Sequence, residues 1–169
     1  DSAYTLARLL QDTDDRLLAH HIHFRNTEQR DTIEAQRCRE IVSWCQSHYR
    51  DFAYSESALD HRGLAFYGYD MIGVGFTAGR VAREFRAKTG GNVDCWAIGD
   101  CAEEAGGPQG RWDHVLQCVA AAAGETAHPR FLRLAIPSKR EEMTYLGREL
   151  LSLCWYCRTP QYVDGIAQE

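Results

Sequence analysis

The sequence lacks a long hydrophobic run, and this excludes a helical membrane span. Its longest apolar stretch, 115–124, is shorter than the roughly 18 residues that such a span needs. No basic segment followed by an apolar stretch opens the chain, so no signal peptide is visible, and the first residue is Asp1. Repeats and low-complexity segments are also absent. With 169 residues, the chain is expected to form a single domain over 1–169, processed or excised from a longer protein.

An excess of basic residues is also missing. Lys and Arg number 19 against 24 Asp and Glu, which gives a net charge of −5. Any contact with nucleic acid must therefore come from a local patch. The densest basic segment is interleaved with Phe76 and Phe85, a mixture that single-strand binding uses. A solvated helix face is the alternative interpretation. The basic residues of this patch are Arg80, Arg83, Arg86 and Lys88.

An even cysteine count is absent too, since the chain has seven cysteines. Disulfide-stapled secreted folds are usually smaller and have an even number. The count favours free thiols in a reducing compartment, some of them bound to metal. Cys38 and Cys45 lie seven residues apart on one face of a predicted helix and are interpreted as core residues. His20, His21 and His23 do not converge at helical spacing, so no metal role is predicted for them.

The first 60 residues are predicted to be a helical section. Apolar residues recur at steps of three or four from Ile33 to Phe52, which predicts a helix there. Asp31 and Glu34 resemble a capping pair at its start.

After Gly63 the pattern changes to an α/β order. Aromatic and β-branched residues predict strands over 64–69 and 71–77, and 80–88 fits either a helix or a strand. Further strands are predicted over 92–98 and 130–136, with helices after Asp100, over 112–124 and over 138–151. The predicted fold is thus a small mixed central sheet flanked by helices over 64–169, with the helical section 1–60 packed on it.

Two short cysteine motifs carry the chemistry. The first is Cys101-Ala102-Glu103, at a predicted change from strand to helix, and the second is Cys154-Trp155-Tyr156-Cys157. Thiolates at 101, 154 and 157 can bind zinc with one position left open, which is the catalytic arrangement. Glu103 would then lie beside a zinc-bound water and could move its proton to a leaving amine.

The C-A-E motif followed by C-x-x-C resembles the signature of the zinc-dependent cytidine deaminase superfamily. Arg158 follows the second cysteine of the pair, as in many nucleoside deaminases. Residues 91–94 resemble the segment that holds the ribose in that family, and residues 72–76 resemble its first small-residue strand. The resemblance covers roughly residues 70–160.

The resemblance implies a hydrolase that acts on an amidine C–N bond. Zinc would be held by Cys101, Cys154 and Cys157, with Glu103 as the catalytic proton shuttle. Water would add to C4 of cytosine (or C6 of adenine) and ammonia would leave. Asn92 and Arg158 would contact the substrate. Trp155 and Tyr156 lie between two ligands, so at least one is expected to line the pocket. Trp96 and Trp112 are either stacking platforms or core residues.

The long first section resembles the deaminase domains at the carboxyl end of bacterial toxins, which act on nucleic acid. That similarity implies conversion of cytosine to uracil in single-stranded DNA, and hence mutagenesis, in the cytoplasm of a target cell. It also implies delivery as part of a larger secreted protein and a cognate immunity protein. A deaminase of free cytidine or deoxycytidine is the alternative within the family.

Two other classes of function remain open. Cys101 could be the nucleophile of a deamidase or papain-like hydrolase, with His114 as base and Asp113 or Asp100 as the orienting group. In a non-enzymatic binding module, Cys95 would join the three other cysteines in a structural four-thiolate zinc site.

Overall fold

A computed structural model describes residues 1–63, 70–102, 111–124, 128–132, 134, 137–155, 161–163 and 166–168. These residues form five helices and three two-stranded sheets, which confirms the predicted mixed α/β class. The described strands pair two by two rather than in one central sheet. The helices are α1 (Ser2–Asp12), α2 (Asp31–His48), α3 (Met71–Thr89), α4 (Arg111–Ala123) and α5 (Lys139–Ser152). The strands are β1 (Leu18–Arg25), β2 (Ala53–Asp60), β3 (Cys95–Trp96), β4 (Arg130–Phe131), β5 (Gln161–Val163) and β6 (Ile166–Gln168).

The chain divides into two compact units. One comprises Ser2–Phe66 and Arg140–Glu169, and we call it the β1–α2–β2 unit. The other comprises Asp1 and Tyr67–Lys139, and we call it the α3–α4 unit. The sequence predicted a single domain over 1–169 with its core over 64–169, and this stays a prediction.

The first 60 residues contain a parallel strand pair as well as two helices. Strands β1 and β2 pair from Leu18 opposite Ala53 to Arg25 opposite Asp60, with α2 as the crossover between them. The prediction of an all-helical section was therefore wrong over these two strands. The ladder hydrogen bonds come from a partner about 35 residues away in sequence, which local periodicity does not reveal.

Helix α2 confirms the predicted second helix, but it ends at His48, before Phe52. The predicted Asp31–Glu34 cap was wrong, because the N-cap residue is Arg30 and it makes no side-chain cap hydrogen bond. Instead the Arg30 guanidinium pairs with Glu28 at 2.6 Å and with Glu34 at 2.8 Å. Asp31 and Glu34 place carboxylates in the first turn, where the helix dipole favours them.

Helices α1, α2 and α5 bury the apolar core of the β1–α2–β2 unit. Cys45 is completely buried there and Cys38 is half-buried, in agreement with their interpretation as core residues. Arg50 donates to the carbonyl oxygens of Leu10 at 3.3 Å and Thr13 at 3.0 Å, and so satisfies acceptors at the end of α1. The buried core residues are Tyr4, Ala7, Leu10, Val42, Cys45, Phe52, Leu146 and Leu150.

In the α3–α4 unit, two glycines allow α3 to approach α4 closely. A Cβ atom on Gly79 would lie 2.4 Å from the Val119 carbonyl oxygen, and one on Gly75 would lie 2.9 Å from that of Val115. The predicted strand over 71–77 was wrong, as was the matching of 72–76 to the family's first strand, since this segment opens α3. Close packing overrides the low helix propensity of glycine here. Residues 64–69 lie outside the described part.

Strands β3 and β4 form a second parallel pair, with α4 between them in sequence. Cys95 pairs with Arg130 and Trp96 with Phe131, so both strands are shorter than predicted, although 133, 135 and 136 lie outside the described residues. Trp96 and Trp112 pack on the Phe131 ring, at centroid distances of 4.9 and 4.7 Å. Both tryptophans thus belong to the core with Val115 and Val119. Helix α4 agrees with the predicted helix over 112–124, and α5 with the one over 138–151.

The remaining pair, β5 and β6, is antiparallel. No described helix is long and apolar enough to span a membrane.

Candidate functional site

Cys101 lies in the segment that follows β3, where it is buried and backbone hydrogen bonds anchor residues 101 and 102. Its side chain has no exposed surface. Its backbone N–H donates to Asp100 Oδ1 at 3.0 Å, and the Ala102 N–H donates to the Pro137 carbonyl oxygen at 2.8 Å. Residues 101 and 102 are not helical, and residues 103–110, over which a helix after Asp100 is predicted, lie outside the described part.

Cys154 follows the last turn of α5. Its thiol donates to the Leu150 carbonyl oxygen at 3.5 Å, and burial raises its pKa. It packs against the core that contains Cys45. Burial, and secondarily the nearby Cys154, raises the pKa of Cys45 to about 11. Both are thus protonated, core-facing thiols at neutral pH in the metal-free chain.

The other residues of the predicted zinc site lie outside the described part. This applies to Glu103 and Cys157, and also to Tyr156 and Arg158. Cys101 and Cys154 belong to different units. Among the described residues, no group of three or more His, Cys, Asp and Glu side chains could hold a metal ion.

Two further residues of the predicted pocket are described. Asn92 is exposed in the segment before β3, and Trp155 is half-buried directly after Cys154. They belong to different units.

The alternative Cys–His pair is not formed. His114 and Asp113 are exposed on α4, whereas Cys101 is completely buried. Although all three residues are described, no hydrogen bond joins Cys101 to His114. Cys95, proposed for a four-thiolate site, is half-buried and lies 3.8 Å from Arg130 Nη2.

The predicted basic patch lies on α3, but its four members have different environments. Arg86 donates from Nη2 to the Ala123 carbonyl oxygen at 2.9 Å, so it caps the C-terminal end of α4. Lys88 pairs with Glu84 at 2.6 Å. Arg80 and Arg83 are exposed. They follow Phe76, which is 48% exposed, at steps of four and three that share one helix face.

A polar network that the sequence did not predict lies between α2 and the β1–β2 pair. Glu56 on β2 accepts from Arg39 Nε and Nη2 at 2.7 and 2.6 Å. Its Oε1 accepts from the Tyr54 hydroxyl at 2.8 Å, and His23 Nε2 lies 2.7 Å from Oε2. The Arg39 bonds, followed by those of Tyr54 and His23, hold the pKa of Glu56 far below its usual range.

This network also perturbs two neighbours on α2 and β2. The Tyr54 hydroxyl lies 3.6 Å from Cys38 Sγ. Burial and the neighbouring Cys38 and Glu56 groups raise the pKa of Tyr54, and burial raises that of Cys38. Both groups therefore stay protonated at neutral pH, which leaves Glu56 as the anion of the network.

His21 lies beside this network without joining it. Its ring contacts that of His23 edge to face, with 4.9 Å between centroids. Burial, followed by repulsion from His23, lowers the pKa of His21 to about 4. Its Nε2 atom is buried and has no hydrogen-bond partner among the described residues. His21 is therefore a neutral imidazole at pH 7.

On the other face of the same strands, His20 lies between two serines. His20 Nδ1 is 2.8 Å from Ser55 Oγ, and Nε2 is 2.8 Å from Ser57 Oγ. The signal that could have revealed both clusters is the alternation of polar residues at a period of two, in His21-x-His23 and Ser55-x-Ser57.

Comparison with protein-family models, with curated proteins and with solved structures finds no match to this chain.

Proposed function

We propose that the chain is a zinc-dependent hydrolytic deaminase that converts cytosine to uracil in single-stranded nucleic acid. The observation that carries the proposal is the combination of Cys101-Ala102-Glu103 with the Cys154–Cys157 pair, followed by Arg158. The mixed α/β class and the buried Cys101 after a parallel strand are compatible with it.

The donor set suits zinc, because three thiolates are a combination that zinc binds readily with a fourth position open. Cys101, Cys154 and Cys157 would hold the ion. When bound, zinc would lower the pKa of a water molecule toward neutrality. Because the pKa of Cys154 is raised by burial, zinc binding would release the proton of that thiol.

Glu103 would act beside the metal rather than on it. Its carboxylate would accept a proton from the attacking water and deliver it to the departing amine. Trp155 would offer an aromatic face to an extruded base. On α3, the exposed side chains of Phe76, Arg80 and Arg83 would contact the strand by stacking and by pairing with phosphates.

The test is product analysis by mass spectrometry together with metal analysis. The zinc-loaded chain is incubated with cytidine, deoxycytidine, single-stranded DNA, duplex DNA and RNA. We expect uracil from a single-stranded polymer and no product from the free nucleosides. Glu103→Ala should abolish the product and keep the zinc, whereas Cys101→Ser should lose both.

Cys118→Ser is the matched control, since Cys118 is a half-buried thiol of α4 outside both motifs, and it should keep zinc and activity. If uridine forms from free cytidine and no polymer is deaminated, the zinc-dependent deamination would stand, but the proposal of a polymer substrate would be overturned. A folded, zinc-loaded chain that deaminates none of the five substrates would overturn the proposal.

A further inference from the structure

His20 is bracketed by two serine hydroxyls on the neighbouring strand. Ser55 is its direct register partner across the parallel pair. Both serine Oγ atoms lie 2.8 Å from the ring nitrogens, Ser55 at Nδ1 and Ser57 at Nε2. Residues two apart on a strand share a face, so the two hydroxyls line one side of β2 and Tyr54 and Glu56 line the other.

A neutral imidazole carries its proton on one ring nitrogen only, so the two serines have different roles. One ring nitrogen donates and the other accepts. With the proton on Nδ1, Ser55 Oγ accepts from His20, and the lone pair of Nε2 accepts the hydroxyl proton of Ser57. This is the pattern of a nucleophile, a base and an orienting group, with Nε2 facing the nucleophile as in serine hydrolase triads.

The three side chains have apolar neighbours and remain accessible to solvent. His20, Ser55 and Ser57 are all partly exposed. Leu18 and Ile22 lie two residues before and after His20 on the same face of β1, and Leu18 is 36% exposed. Leu59 occupies the equivalent place after Ser57 on β2. A short apolar acyl group fits such a surface better than a charged one.

We propose that Ser57, His20 and Ser55 form a serine esterase site, separate from the residues of the deaminase proposal. Ser57 is the nucleophile, His20 the general base and Ser55 the positioning residue. Ser57 Oγ attacks the ester carbonyl and its proton passes to His20 Nε2. The bond to the leaving alkoxide breaks as His20 protonates it, and a water molecule then hydrolyses the acyl-serine ester by the same proton route.

The test is covalent labelling of the full chain with a fluorophosphonate probe, with peptide mapping by mass spectrometry, and hydrolysis of p-nitrophenyl butyrate. We expect one adduct per chain, on Ser57, and none in Ser57→Ala. His20→Ala should slow labelling by roughly 10²–10⁴-fold, the usual contribution of a general base. Ser43→Ala is the control, because Ser43 is an exposed serine on α2, and it should label normally.

The positioning role of Ser55 is tested by comparing its substitution by alanine with the conservative substitution by threonine. Ser55→Ala should slow labelling and ester hydrolysis, and Ser55→Thr should restore both, because threonine keeps the hydroxyl and suits a strand. Thermal unfolding verifies that every variant is folded. An adduct on another residue, an unlabelled wild-type chain, or full labelling of folded His20→Ala would overturn the proposal. Glu103→Ala should label normally, which separates this site from the deaminase.

Discussion

Arg39 and Glu56 form a bidentate ion pair that connects α2 to β2. The Arg39 Nε and Nη2 atoms donate to the two carboxylate oxygens of Glu56 at 2.7 and 2.6 Å. The same carboxylate is engaged by Tyr54 and His23. Glu56 thus links the crossover helix to both strands, and its half-buried carboxylate accepts charge-assisted hydrogen bonds from Arg39.

Removing the charge of Glu56 should weaken this unit and change its response to acid. Arg39 foremost depresses the pKa of Glu56, so the carboxylate stabilises the fold above its unfolded pKa of about 4.3. That contribution is lost as the pH falls below this value toward the lower folded pKa. We expect Glu56→Gln to lower the free energy of unfolding by roughly 1–3 kcal/mol at pH 7.

Urea unfolding at pH 7, 5 and 3 measures both effects. Wild-type chain should lose more stability than Glu56→Gln between pH 5 and pH 3. Glu149→Gln, at an exposed glutamate of α5, should behave as wild type. Equal losses in the wild-type and Glu56→Gln chains would contradict the role of this carboxylate.

His21 should make the free energy of unfolding depend on pH at higher pH values than Glu56 does. Its folded pKa is lowered to about 4, chiefly by burial, against about 6.5 when unfolded. The unfolded chain therefore binds more protons between these values, and stability rises with pH across pH 4–6.5. We expect His21→Phe to flatten this rise, because phenylalanine fills the site without a titratable nitrogen. Unfolding at pH 5 and 7 measures it, and His48→Gln, at an exposed histidine, should leave the slope unchanged.

Gly79→Ala should destabilise the α3–α4 pair although alanine favours helices. The added methyl would lie 2.4 Å from the Val119 carbonyl oxygen and 2.7 Å from Ala122 Cβ. Such overpacking costs about 1–3 kcal/mol, which exceeds the roughly 1 kcal/mol that alanine gains over glycine in a helix. Thermal and urea unfolding should show lower midpoints. Gly63→Ala, where a Cβ meets nothing within 4 Å, should stay within about 0.5 kcal/mol of wild type.

Substitutions of two arginines on α3 should have different effects, one on the stability of the fold and the other on nucleic-acid binding. Arg86→Ala removes a charged donor from the Ala123 carbonyl oxygen and should cost roughly 1.5–3 kcal/mol of stability. Arg83 is exposed, so Arg83→Ala should leave stability within about 0.5 kcal/mol. It should instead weaken binding to a single-stranded oligonucleotide and reduce the salt slope by about one. Unchanged binding in Arg83→Ala would remove α3 from the proposed interface.

Helix α2 could be predicted from the sequence because its apolar residues recur at steps of three or four. The strand β1 could not, because three of its eight residues are histidines whose partners, among them Ser55 and Glu56, lie about 35 residues on in the chain. The start of α3 was predicted as a strand because its aromatic and β-branched residues, interrupted by glycines, favour strands. Its helical form depends on the backbone of α4 at Val115 and Val119, a tertiary contact that no local window contains.

The interpretation of Cys38 and Cys45 as core residues followed from their spacing and is confirmed by their burial. The environment of Arg86 did not follow from its neighbours, since its acceptor is the end of another helix. The zinc ligands remain a prediction, because the motif gives residue types and spacing but not the distance between segments that are far apart in sequence.

The parallel pairing of β1 and β2 has a consequence for synthesis on the ribosome. An antiparallel hairpin can close as soon as its turn emerges, but His20 must wait for Ser55, 35 residues later. At about 5–20 residues per second, this delay is roughly 2–7 s. During that interval β1 emerges with both edges unpaired, and an unpaired strand edge is a template for pairing with another chain.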